Sequence, residues 1–152
     1  MLEKFKNFYN RFDEEVVEVS KGDMKFSAKE LKKRQPAFYA LINSVYEKIF
    51  LENKEDELLY FYSFLLLKFF EEETEVKLKK MGFSELLDIV KSVEEKSVAV
   101  FETRDVSLIF DFLKAELESD MDEFVFEGRN LMIDTIISIL RALEVLFLNE
   151  KN

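Results

Sequence analysis

Apolar residues at the start of the chain recur at spacings of three and four. Leu2, Phe5, Tyr9, Phe12, Val16 and Val19 form one stripe, while Asp13, Glu14 and Glu18 face elsewhere. The pattern predicts an amphipathic helix, which Gly22 ends in a left-handed cap. Ser27 and Glu30 then stand at capping-box spacing, with Phe26 and Leu31 at the two positions of a hydrophobic staple. Pro36 breaks or kinks this second helix, because it disfavours helical geometry at Gln35 and removes a backbone donor. Phe38, Leu41, Ile42, Val45 and Ile49 stay in phase beyond it, to an end near Leu51 and a turn at Asn53.

The next stretch carries a different pattern. From Leu58 to Phe70 only Ser63 and Lys68 interrupt a run that is apolar on every side of a helix, so the run must be enclosed all round. Three glutamates, Glu71 to Glu73, would crowd the negative end of a helix that stopped at Phe70. Continuation relieves them through Glu73–Lys77 and Glu75–Lys79 pairs, which predicts one helix of roughly 25 residues opening near Glu55 or Asp56 and capped by Gly82. Ser84 is placed to cap a fourth helix through Leu86, Val90, Val93 and Val100, with an extended piece as the alternative over Val98 to Phe101. Asp105 is placed to cap a fifth, through Val106, Ile109, Phe110, Leu113 and Leu117. The last is read as opening at Asp120 with Glu123 as its capping partner. It passes Gly128 and runs amphipathically from Leu131 to Leu148. The expected fold is all-α: a single-domain helical bundle spanning 1–152, of about six helices, with a long central apolar helix.

Composition supports that reading and narrows the chemistry. Three glycines and one proline are too few for the turns of an all-β domain, and 48% hydrophobic residues exceed what a disordered chain of 36% charge would carry. The chain has neither cysteine nor histidine. This excludes disulfides, zinc–thiolate sites, Ser-His-Asp and Cys-His catalysis and histidine-ligated iron. A net charge of -10 opposes polyanions, so neither nucleic acid nor an anionic membrane surface is an expected partner. The N-terminal residues lack a signal peptide's apolar centre, and the run Leu58–Phe70 is too short for a bilayer, which needs about twenty residues. A cytoplasmic location is expected. The Lys and Glu bias is shared by thermophile proteins and by low-GC genomes.

The leading expectation is a non-enzymatic helical protein–protein interaction module, an adaptor, scaffold or chaperone-like binder that self-associates as a homodimer without a cofactor. Its interface would be the last helix, through Ile133, Ile137, Leu140, Leu143 and Phe147, or the outer side of the apolar run, through Phe61 and Phe64. The alternative is a Mg²⁺-dependent enzyme. All-α nucleotide pyrophosphohydrolases hold Mg²⁺ with Glu-x-x-Glu on one helix and Glu-x-x-Asp on the next, since hard cations need several converging oxygens. Glu15/Glu18, Glu52/Glu55 and Glu72/Glu75 match the first half here, and Glu85/Asp88 and Glu102/Asp105 the second. Glu72, Glu75, Glu85 and Asp88 are the alternative metal set, although Glu75 is also read as a partner of Lys79. The acidic residues Glu116, Glu118, Asp120, Asp122, Glu123 and Glu127 read as a solvated face around a helix start, with a cation or a basic partner as the alternative. The basic run Lys29, Lys32, Lys33, Arg34 is the one concentrated positive patch, and would suit an anion or an acidic partner.

Overall fold

The computed structural model describes residues 1–21, 23, 25–49, 53–96, 101, 103–120 and 126–149, and excludes the side chains of 46, 48, 49, 53–57, 93–96, 120, 126–129 and 149. Every regular element among them is a helix, and none is long and apolar enough to cross a membrane. Helix α1 (Leu2–Ser20) buries Phe5, Phe8 and Phe12. Its left-handed cap is Lys21, at φ 51°, one residue before the expected Gly22, which lies outside the described residues.

Pro36 divides the second expected helix completely, into α2 (Phe26–Arg34) and α3 (Pro36–Ile49), and this raises the number of helices from about six to seven. The expected capping box at Ser27 does not form. Ser27 lies inside α2 and is buried, and the turn before the helix is tied by Asp23, whose carboxylate accepts from the Lys25 N–H at 3.0 Å and pairs with Lys29 at 2.9 Å.

Helix α4 (Asn53–Thr74) packs against α1, α2, α3 and α7. From Leu59 to Phe70 only Phe61 and Lys68 are less than fully buried. Aromatic rings carry the contact outward in a chain. Phe112 meets Phe5, which meets Phe69 edge-on at 5.0 Å; Phe69 touches Phe70, and Phe70 stacks on Phe147. Such pairs add about 0.5–1.5 kcal/mol each beyond the area they bury.

The helix stops at Thr74, earlier than expected. Glu75 sits at φ 59°, the Thr74 hydroxyl donates to the Phe70 carbonyl, and residues 76–82 follow as an irregular connector. The expected Glu75–Lys79 pair therefore does not exist, and Glu73 pairs instead with Lys4 at 3.1 Å. Gly82 ends no helix; its N–H donates to Glu85, and it opens α5 (Phe83–Lys96) where Ser84 was expected to do so.

In α6 (Arg104–Asp120) the cap is Thr103, whose hydroxyl accepts from the Val106 N–H at 3.2 Å, and Asp105 falls within the first turn. Asp120 closes α6 rather than opening α7 (Phe126–Glu144), which continues into a π-helical turn at Val145–Asn149. The expected extended piece at Val98–Val100 and the capping partner Glu123 lie outside the described residues.

Candidate functional site

The three glutamates that end α4 are matched one for one by cations from other helices. Glu71 pairs with Arg34 of α2 at 2.7 Å, Glu72 with Arg11 of α1 at 2.8 Å, and Glu73 with Lys4 at 3.1 Å. The Arg34–Glu71 pair is partly buried, whereas the other two are exposed pairs, for which a median of about 0–1 kcal/mol applies. Beside this cluster runs an open cleft of about 710 Å³ between α1 and the end of α4. Phe8 and Phe12 form its floor, while Arg11, Glu15, Lys68, Glu71, Glu72, Glu75 and Lys77 form its walls.

Most of these charges are already engaged. Arg11 lies over the Phe8 ring at 5.1 Å while holding Glu72, and it reaches Glu15 at 3.6 Å. Glu71 accepts from Arg34 and also from the Leu78 N–H at 3.3 Å. Lys68 and Lys77 make no ion pair with a described residue. Among the described residues, no serine, threonine or tyrosine lines the cleft. Its lining sets phenylalanine rings beside lysine and glutamate side chains.

The residues singled out from the sequence are dispersed. Leu140, Leu143, Phe147 and Phe64 are buried in the chain's own core, a correction to their reading as surface. Apolar side chains at helical spacing do not by themselves distinguish an inner face from an outer one. Ile133, Ile137 and Phe61 stay half-buried at the edge of that core. Glu72, Glu75, Glu85 and Asp88 are exposed, and no three acidic side chains group to hold a cation among the described residues. Glu72 belongs to Arg11 and Glu85 to the Gly82 N–H. Glu52 and Glu102 lie outside the described residues.

The basic run is largely engaged within the molecule. Arg34 holds Glu71, Lys29 holds Asp23, and the Lys32 ammonium lies 5.3 Å from the centre of the Tyr39 ring. The Lys29 hydrogen bond, helped by the Lys25 N–H, holds the Asp23 carboxyl below its ordinary value. Sequence reasoning did not find the cleft, since its walls come from segments more than fifty positions apart.

Two further features escaped the sequence. Glu144 is only 2% exposed on α7, and its carboxylate accepts from both the Thr103 N–H and the Thr103 hydroxyl at 3.0 Å. Conversely, Val17 and Val19 near the end of α1 are 66% and 63% exposed. Compared with protein-family models, curated proteins and solved structures, the chain matches none.

Proposed function

We propose that this chain is a non-enzymatic helical interaction module, an adaptor, scaffold or chaperone-like binder, that self-associates through the end of α1. The exposure of Val17 and Val19 carries the reading. Residues two apart point to nearly opposite sides of a helix, so exposure of both leaves the final turns bare on more than one side. Single surface valines are ordinary, but two on one helix end, with Val16 half-buried beside them, place apolar surface on more than one side of its last turns. Asp13, Glu14, Glu15 and Glu18 surround that tip, which favours a basic counterpart, and α2 of a second copy offers Lys32 and Lys33, both exposed. On this reading 1–152 is one cytoplasmic domain with α4 as its long central helix, and it works without cofactor, nucleic acid or membrane.

Sedimentation equilibrium with and without Mg²⁺ tests it. The expected result is a metal-independent dimer that weakens as salt rises and becomes a monomer in Val17→Glu/Val19→Glu, with helical circular dichroism unchanged. A chain that stays monomeric at every concentration, or changes mass only with Mg²⁺, rejects the reading. A dimer indifferent to the double variant moves the interface to Ile133 and Ile137.

A further inference from the structure

The connector between α4 and α5, residues 75–82, is held to the body by very few groups. Gln35 stands at the break between α2 and α3 and is 1% exposed. Its backbone N–H ends α2 on the Leu31 carbonyl, which leaves the side-chain amide free to face the connector. That amide donates to the Leu78 carbonyl at 3.1 Å and the Lys79 carbonyl at 3.0 Å, and its oxygen accepts from the Met81 N–H at 3.4 Å. A further tie is the Leu78 N–H donating to Glu71. Apolar burial adds little, because Val76, Lys77, Lys79 and Lys80 are exposed and only Leu78 and Met81 rest, half-buried, against the core.

We propose that residues 75–82 form a strap latched by Gln35, which opens as a unit while the helices stay folded and so moves one wall of the cleft between α1 and α4. Glu75 and Lys77 belong both to the strap and to the cleft wall. Opening withdraws them from the cleft wall and uncovers the core surface on which Leu78 and Met81 rest. A segment with few buried apolar contacts, held by a handful of hydrogen bonds, opens at a lower free energy than the whole domain. Glu75 supplies a second push: it is held at φ 59°, a region that non-glycine residues seldom occupy, and release lets it relax. The proposal does not depend on self-association at the end of α1.

Limited trypsin digestion reads the opening directly, because Lys77, Lys79 and Lys80 all lie in the strap. Gln35→Ala removes three of the ties, so cleavage at these lysines should rise about tenfold or more over the wild type, with cooperative urea unfolding retained. Equal cleavage in the two proteins overturns the latch. So does faster cleavage spread equally to helical lysines such as Lys33 and Lys114, which reports global unfolding. Hydrogen exchange in the wild-type chain needs no variant. The amides of Leu78 and Met81 should exchange together, with little dependence on urea, well before those of Leu65 and Leu66. Exchange of all four at one rate with one urea dependence overturns the strap.

Discussion

The seam between α4 and α7 and the outer end of α1 are both built from helices that carry apolar residues at helical spacing, and they end in opposite environments. At the seam, Leu65, Leu66, Leu140 and Leu143 are buried without remainder, and even Glu144 is drawn inside. Along α1 the burial stops after Phe12, and Val17 and Val19 stay in solvent. An apolar side chain is covered only where a second element reaches it. Helices α2, α3 and α7 all reach α4, whereas α1 meets α4 and α6 and its last turns extend past the rings they offer. Interior and tip should therefore answer mutation very differently.

The largest expected effect is in the interior. The Phe69 ring lies 5.0 Å from Phe5, 5.5 Å from Phe8 and 5.6 Å from Phe70. Removing it leaves a cavity bounded by phenylalanines that cannot all collapse inward, so Phe69→Ala should cost about 3–5 kcal/mol in urea denaturation. Val19→Ala, which removes atoms already in water, should shift the same curve by less than about 0.5 kcal/mol. Equal losses would mean that the tip of α1 is packed after all.

A buried polar group of α7, facing the start of α6, sharpens the contrast. Glu144 satisfies the Thr103 N–H, and the Thr103 hydroxyl in turn caps α6 through the Val106 N–H. Glu144→Ala leaves a partly buried donor unmatched and loosens the cap, for an expected cost of about 1–3 kcal/mol. Glu144→Gln keeps an oxygen for both donors and should lose clearly less. If the two variants are equally destabilised, the carboxylate's charge rather than its acceptor geometry holds the helix start.

The helical class was readable from periodicity and the scarcity of glycine and proline, and the enclosure of Leu59 to Phe70 from the lack of any polar side. What failed did so where a distant partner decides. The end of α4 was misread because three adjacent glutamates at a helix C-terminus look unfavourable in isolation. Arg34, Arg11 and Lys4 neutralise them from other helices, and no local spacing reveals that. Ser27 and Ser84 matched the local signature of a cap, yet the chain used the Asp23 turn and Gly82. The fully buried side chains of α7 could not be separated from the half-buried ones, because Leu140 and Leu143 are apolar residues at helical spacing just as Ile133 and Ile137 are. The cleft and the Gln35 latch join segments far apart in the chain, so neither leaves a local signal.

The smallest expected effect is at the outer turn. Asp23 is exposed, and its carboxyl is held below its ordinary value first by the hydrogen bond from Lys29 and then by the Lys25 N–H. A lowered value in the folded state means that Asp23 adds stability above its unfolded value, and that the contribution disappears as pH falls through the folded one. Asp23→Asn retains an oxygen for the Lys25 N–H and removes only the charge. The urea midpoint of the wild type should therefore exceed the variant's slightly at neutral pH and meet it in acid below the ordinary carboxylate range. Salt at about 0.5 M should close the neutral-pH gap as well, since an exposed pair is screened within a few ångströms at that concentration. A gap that survives both acid and salt would give the turn the character of the interior, and the division between seam and tip would then have to be redrawn at Asp23.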